Sequence, residues 1–202
     1  MSLDEGYVKY QSHWTPAAAP DAEAARLLEA WRRPLYEEGL IGYYSELGIG
    51  YGNISVRCGA PGQFLISGTQ TGHVAVTTDA HYALVTDYDL EGNAVWCSGP
   101  VQASSEAMTH AAIYALDPGI GGIVHVHSKS LWLDHLNELP TTDPAVAYGT
   151  PAMAREFVRL YAGGGFRESG LAVMAGHEEG LIGIGTSLAE AATRMLGLVR
   201  RG

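Results

Sequence analysis

Three histidines in two short segments have the types and spacing of metal ligands. His125 and His127 end the apolar run Gly-Ile-Val-His-Val-His. Side chains alternate between the two faces of a strand, so both imidazoles point the same way. His177, in Ala-Gly-His-Glu-Glu-Gly after another apolar run, is the candidate third ligand. Three neutral nitrogens with a fourth position open describe a catalytic zinc, and iron, cobalt or manganese also fit, so we predict Zn²⁺ or another divalent transition metal.

Glu106 is the candidate catalytic residue. It follows two serines at the predicted start of a helix, and the same segment leads into His125 and His127. A glutamate in the first turn of a helix is favoured by the helix dipole alone. Beside a bound metal, however, a carboxylate either acts as general base or serves as a fourth ligand until substrate displaces it.

Several loops rich in Gly, Ser and Thr suit an anionic group of a small substrate. Ser104 and Ser105 either cap the following helix or, with its first N–H groups, bind a phosphate or carboxylate. Glycine lets the backbone approach a ligand closely, and Asn and Thr donate hydrogen bonds. The candidate substrate-binding residues are Gly52, Asn53, Ser67, Gly68, Thr71, Gly72, Ser104 and Ser105.

Composition narrows the class of protein. The net charge of −10 argues against a nucleic-acid partner. No apolar stretch reaches the length of a membrane span, and the first residues lack the order of a secretory signal, so we expect a cytoplasmic protein. Cys58 and Cys97 lie in unlike contexts and are expected to be free thiols. We expect an N-terminal arm or tail over residues 1–20 and a single domain over residues 21–202.

Hydrophobic periodicity indicates short strands interleaved with helices, which is typical of a mainly antiparallel sheet covered by helices. The first helix begins at Asp21 and ends near Gly39, and Pro34 is expected to kink or divide it. The other predicted helices span 103–116, 153–161 and 188–199, and the predicted strands span 54–57, 64–66, 82–86, 94–97, 122–127, 171–174 and 181–184.

Five motifs, in this order, resemble the class II aldolase/adducin family from about residue 24 to residue 198. They are Gly-Asn-Ile-Ser-Val-Arg (52–57), Phe-Leu-Ile-Ser-Gly (64–68), Ser-Ser-Glu (104–106), His-Val-His-Ser (125–128) and Gly-His-Glu-Glu-Gly (176–180). The resemblance implies a three-layer α/β/α fold, zinc bound by three histidines, an active site at a subunit boundary and a homotetramer. It also implies that Glu106 transfers the proton and that the Gly-Asn, Ser/Thr-Gly and Ser-Ser segments bind a substrate phosphate.

The chain departs from the family pattern at the substrate end of the site. Gly50 stands where sugar-phosphate aldolases of the family commonly have Thr. Either Ser67–Gly68 or Thr71–Gly72 takes the anion-binding position. Tyr148 is the candidate for the family's catalytic tyrosine only by its nearness in sequence. A carboxylate substrate therefore suits the remaining donors nearly as well as a phosphate.

The expected function is that of a metal-dependent, aldolase-type lyase in carbohydrate metabolism. It would act on a small hydroxy-ketone or sugar-phosphate-like substrate through an enediolate. A dehydratase or a decarboxylase would use the same groups, whereas epimerases of the family tend to carry Asp in place of Glu106. The rival from another class is a non-enzymatic interaction domain like the adducin head, and the three histidines and Glu106 argue against it.

Overall fold

The computed structural model describes residues 7–200, which are built around an eight-stranded sheet. The strands are β1 (Gln11–Pro16), β2 (Gly42–Tyr44), β3 (Ile49–Tyr51), β4 (Asn53–Arg57), β5 (Phe64–Ser67), β6 (Tyr82–Asp89), β7 (Ala94–Gly99), β8 (Gly122–His127), β9 (Leu171–Val173) and β10 (Gly180–Gly185). Across the sheet the strand order is β1-β7-β6-β5-β4-β8-β10-β9, and β2 and β3 form a separate hairpin. Only the β1–β7 pair is parallel among the paired strands of these residues.

Helices cover both faces of this sheet. They are α1 (Ala22–Glu37), α2 (Ala107–Leu116), α3 (Lys129–His135), α4 (Pro151–Ala162), α5 (Gly165–Ser169) and α6 (Leu188–Val199), with a short 3₁₀ helix at Asp79–His81. One buried cluster joins residues of α2, α4 and α5 to one face, and a second joins residues of α1, α3 and α6 to the other. The predicted three-layer α/β/α fold with a mainly antiparallel sheet is therefore confirmed. Within residues 7–200, none of the helices is long and apolar enough to cross a bilayer.

The alternation of side chains along β8 decides where its histidines point. Ile123 packs in the cluster that contains α2 and α4, whereas Val124 and Val126 pack in the cluster on the other face. His125 and His127 follow Ile123 by two and four residues, so their side chains lie on the same face of the strand as that of Ile123 and face the α2 layer. The strand β8 lies between β4 and β10 and is buried along its whole length, which excludes water from both imidazoles.

The predictions for α1 and α2 need correction. The helix α2 begins at Ala107 rather than 103, and Glu106 is its N-cap residue. The helix α1 continues through Pro34 to Glu37, so the predicted division is wrong. Pro34 lies in the last turn, where Glu38 N–H still donates to Pro34 O at 3.1 Å. A proline loses its own N–H bond and its ring crowds the carbonyl four residues before it, but it leaves the hydrogen bonds of the following residues possible, so the chain can still complete the last turn.

The N-terminal segment has more regular structure than the arm or tail that the sequence suggests. Residues 1–6 lie outside the described part of the chain, but Gln11–Pro16 extends the sheet as an edge strand parallel to β7. The Tyr10 hydroxyl donates to Ser104 O at 2.8 Å, so this segment also passes beside the Ser-Ser-Glu motif.

Candidate active site

His125, His127 and His177 converge on one buried point at the end of β8. The Nε2 atoms of His125 and His127 are 3.1 Å apart, and those of His127 and His177 are 3.0 Å apart. One ligand atom from each residue lies within 4.8 Å of the others, and all three residues are buried. Ligand nitrogens around a tetrahedral zinc are separated by about 3.3 Å, given Zn–N lengths of roughly 2.0–2.1 Å, so the cluster fits such an ion.

Backbone contacts orient these rings. His125 Nδ1 lies 3.1 Å from Leu181 O on the neighbouring strand, so Nδ1–H donates there and Nε2 is left to bind a metal. Gly180 makes the room that the cluster needs. A Cβ at this position would lie 2.5 Å from His177 Cδ2 and 3.3 Å from His125 Cε1. A larger residue would therefore displace two of the three imidazoles.

Burial keeps the three imidazoles neutral. Desolvation lowers the pKa of His125 to about 4, with a small opposing effect of the hydrogen bond to Leu181 O. Desolvation, with repulsion from the neighbouring histidines, also lowers the pKa of His127 and His177 well below the usual range. Neutral imidazole is the form that binds metal ions, so the electrostatics and the geometry of the cluster fit the same role.

Glu106 lies against this cluster and is only 1% exposed. Its Oε1 is 3.8 Å from His177 Nε2. Among residues 7–200 neither carboxylate oxygen has a hydrogen-bond partner of good geometry, which is unusual for a buried carboxylate. Burial raises the pKa of Glu106 to about 7, and the nearby Thr109 hydroxyl and the positive charge of Lys9 offset only part of this rise. A carboxyl group in this environment is suited to both accept and release a proton near neutral pH.

Three tyrosines approach the histidines. The ring of Tyr148, the candidate from the sequence, lies 4.3 Å from the ring of His177, and its hydroxyl is 3.3 Å from Tyr7 N. Tyr44 and Tyr51, on the β2–β3 hairpin, lie near His127, with ring distances of 6.4 and 5.6 Å. Sequence reasoning misses these two residues because the short, glycine-rich hairpin has no regular hydrophobic alternation.

A small polar cavity adjoins this group of residues. Of the predicted substrate-binding residues, Ser67 is not among those that line it, because its hydroxyl bonds both backbone groups of Ile54, at 3.2 and 3.3 Å. Gly68 and the Thr71–Gly72 pair both line the cavity, so both candidate anion-binding loops are brought to one place. The lining residues are Gly50, Gly52, Asn53, Gly68, Thr69, Gln70, Thr71, Gly72, Ser104 and Ser105.

The wall of the cavity is held from behind by Arg32. This side chain is 1% exposed, and its Nη2 donates to Thr71 O at 3.2 Å and to Gly72 O at 3.4 Å. Among the described residues its Nη1 has no hydrogen-bond partner. A buried guanidinium therefore lies beneath the Thr71–Gly72 loop, where it fixes the loop and adds positive charge. The spacing of the first helix distinguishes Arg32 from Arg33, because Arg32 follows Leu28 by four residues and precedes Leu35 by three, on the buried face of the helix. A charged residue on an apolar face is therefore the sequence signal that could have pointed to it.

Gly72 packs against Gly50 so closely that neither position has room for a side chain. A Cβ on Gly72 would overlap Gly42 O and lie 2.8 Å from Gly50 Cα. A Cβ on Gly50 would lie 3.0 Å from Gly72 N, which explains why the Thr of the family pattern does not fit here.

We expect Gly72→Ala to lower the free energy of unfolding by about 1–3 kcal/mol, because the added methyl group overpacks backbone against backbone. Gly197→Ala is the matched control, since a Cβ there meets nothing within 4 Å. Gly197 lies in α6, so its replacement by alanine should stabilise the protein by roughly 0.5–1 kcal/mol. Urea unfolding of both variants measures the two effects, and equal stabilities would contradict the close packing of Gly72.

His110 and the two cysteines lie outside the cluster of three histidines. His110 is buried one helical turn after Glu106, and its Nδ1 lies 2.7 Å from Ser55 Oγ, which in turn lies 2.9 Å from Tyr114 OH. His110 thus belongs to a buried polar network. Cys58 and Cys97 are both free thiols, as predicted.

The chain from residue 40 to residue 201 matches the family model described as the class II aldolase and adducin N-terminal domain. This match covers most of the sequence, and the protein therefore belongs to the class II aldolase/adducin family. The family supports an enzyme of the aldolase type with a small-molecule substrate, and the three-histidine cluster is where such enzymes would hold a divalent metal.

Solved structures share this fold at low sequence identity. An L-fuculose 1-phosphate aldolase superposes with a TM-score of 0.66 at 16% identity, covering 91% of this chain and 86% of that one. A sugar-phosphate aldolase from Thermotoga maritima gives 0.65 at 19% identity, covering 88% and 91%. The YgbL protein from Klebsiella pneumoniae gives 0.64 at 19% identity, covering 88% and 86%. At these identities the likeness establishes the fold alone.

Proposed function

We propose that the protein is a metal-dependent, aldolase-type lyase acting on a small hydroxy-ketone or sugar-phosphate-like substrate through an enediolate. The observation that carries the proposal is the position of Glu106. Its buried carboxylate lies 3.8 Å from His177 Nε2, against the cluster of three neutral histidines and beside a cavity lined by Gly, Ser, Thr, Asn and Gln. An interaction domain has no use for such a costly arrangement, which favours an enzyme over an adducin-like scaffold.

The metal would be held by His125, His127 and His177, and Zn²⁺ or another divalent transition ion suits the three nitrogens. When bound, such an ion polarises a substrate carbonyl and favours the negative charge that develops on its oxygen. Glu106 takes the proton from the substrate carbon or hydroxyl, or returns it. Its burial keeps bulk water away from the proton that it carries.

The small polar cavity is suited to the anionic end of the substrate. Its lining offers backbone N–H groups and the side chains of Asn53, Ser104 and Ser105, and the guanidinium of Arg32 lies behind one wall. Hydrogen-bond donors backed by positive charge favour a phosphate or a carboxylate. The substrate is therefore a hydroxy-ketone or keto-acid that carries one of these groups.

We further propose that the active enzyme is a homotetramer whose neighbouring subunit completes the site, as the family resemblance implies. Light scattering of the purified protein measures the assembly. A strictly monomeric protein with full activity would contradict this part of the proposal.

The function is tested by measuring proton exchange and bond cleavage in deuterated water. Proton NMR monitors both reactions. The panel consists of small hydroxy-ketones, sugars and keto-acids. Each compound is tested both in a phosphorylated form and in an unphosphorylated form. An aldolase exchanges the α-proton of its ketone and forms two carbonyl fragments from the longer substrate. Loss of water would indicate the dehydratase and release of carbon dioxide the decarboxylase. Metal-loaded protein that exchanges no α-proton and converts no member of the panel would contradict the proposal.

A further inference from the structure

The β2–β3 hairpin lies between α1 and β4 in the sequence, and two of its tyrosines pack at the histidine cluster. The rings of Tyr44 and Tyr51 are 4.4 Å apart, and the Tyr51 ring lies 5.6 Å from that of His127 at an interplanar angle of 36°. The hydroxyl groups of the two tyrosines have different partners. Tyr51 OH donates to Gly39 O at 3.2 Å, whereas Tyr44 OH faces His127 and Glu179.

The direction of the hydrogen bonds around Tyr44 follows from chemistry. His127 Nε2 faces the ring nitrogens of His125 and His177, so the form of His127 that can bind a metal carries its hydrogen on Nδ1. Nδ1 lies 3.3 Å from Tyr44 OH. Tyr44 OH donates to Glu179 Oε2 at 2.6 Å, because a carboxylate can only accept. His127 Nδ1–H therefore donates to the Tyr44 oxygen, and the hydroxyl hydrogen goes to Glu179.

The backbone at Glu179 is in an unfavourable conformation for this residue type. Its φ is +69°, a left-handed value that side chains other than glycine adopt at a cost. The tight turn that carries His177 imposes this value, since Gly180 N–H donates to His177 O and Ser128 N–H to Glu179 O, both at 2.9 Å. Glycine would be less strained at this position, so the presence of a glutamate whose carboxylate accepts from Tyr44 points to a role for the side chain.

We propose that Tyr44 and Glu179 form an outer hydrogen-bonded chain that positions His127 and raises its affinity for the metal. The inference rests on the proposed three-histidine metal site, and it gives the hairpin of residues 42–51 a function in metal binding. A metal-binding histidine commonly donates its second N–H to a carboxylate, which fixes the ring and makes the other nitrogen more basic. Here the tyrosine hydroxyl joins the imidazole to the carboxylate. Tyr44 and Glu179 are positioning residues, and the effect is transmitted through His127.

The experiment measures zinc affinity by competition with a chromophoric chelator, using the full-length protein. We expect Tyr44→Phe to bind Zn²⁺ about 10–100-fold more weakly than the wild type, because loss of an outer hydrogen bond has this effect at other zinc sites. Glu179→Ala should weaken binding similarly. The double variant should be little weaker than either single variant, because the two residues act through one chain. Circular dichroism confirms that each variant is folded.

Tyr51→Phe is the matched control, because it removes a hydroxyl from the same hairpin but one that bonds Gly39 O. Its zinc affinity should equal that of the wild type. Wild-type affinity in Tyr44→Phe, with weak binding in His127→Ala, would overturn the inference and leave the proposed function standing. A wild-type protein that binds no zinc at all would overturn both. Equal weakening in Tyr51→Phe would also contradict the inference, since the effect would then come from the hairpin as a whole.

Discussion

We expect His177→Ala to lose its bound metal while the rest of the fold remains intact. His177 supplies one of three converging nitrogens from a turn outside the sheet, so its removal leaves only the pair on β8. Removing only an outer hydrogen bond to a metal ligand weakens binding by up to about 100-fold. Because His177→Ala removes a ligand itself, its zinc affinity should fall by more than this. Zinc titration against a chelator and elemental analysis measure the loss.

His135→Ala is the matched control for this variant. His135 lies at the end of α3, 3.8 Å from Glu138, and lies outside the three-histidine cluster. Its replacement should leave the metal content unchanged. If His177→Ala bound as much zinc as the control, the assignment of the third ligand would be wrong, and another residue would have to complete the site.

We expect Glu106→Gln to retain the metal and lose the reaction. Glutamine has nearly the same shape as glutamate but cannot accept the substrate proton, so the rate of α-proton exchange should fall by about 10²–10⁴-fold. The fold should tolerate the change, because the native carboxylate is buried without a hydrogen bond of good geometry among residues 7–200. The measurements are NMR exchange in deuterated water with the best substrate of the panel, and metal content per chain.

Glu178→Gln makes the same chemical change at an exposed position in the turn that follows His177. Its carboxylate lies 3.7 Å from Lys129 Nζ on the surface, and exposed pairs of this kind contribute little. This control should keep full activity. A fully active Glu106→Gln protein would show that another group moves the proton, and Tyr148, beside His177, would then be the first alternative to examine.

The clustering of the three histidines could be predicted from the sequence because its determinants are local. Alternation along a strand is enough to place His125 and His127 on one face, and the predicted bounds of β8 match the structure. The predicted bounds of α6 match as well, since Ser187 accepts from Glu190 N–H and caps the helix. The polar turn after an apolar run singles out His177, and the structure brings it to the other two.

The remaining parts of the site depend on contacts between distant segments. The segment before α2 is held extended, because Thr69 N–H donates to Gln102 O and Ser104 N–H to Ser67 O. The helix therefore begins only at Ala107, a limit that helix propensity does not reveal. Arg32 likewise acquires its role only when the Thr71–Gly72 loop folds over it.

The β2–β3 hairpin escapes sequence-based prediction for a related reason. Each of its strands has three residues, and the pairing of Tyr44 with Ile49 and of Gly42 with Tyr51 is stabilised by packing on the histidine cluster. Short strands of this kind have little periodicity of their own. The edge strand Gln11–Pro16 escapes prediction too, because its mostly exposed residues lack a clear apolar face.

The proposed function depends above all on a catalytic divalent metal held between His125, His127 and His177. The most direct test is elemental analysis of untagged protein purified without chelators, set against protein concentration. We predict about one zinc or other divalent transition ion per chain. A protein that is free of metal and also fails to take up added zinc would contradict the proposal, and the adducin-like interaction domain would then be the better description.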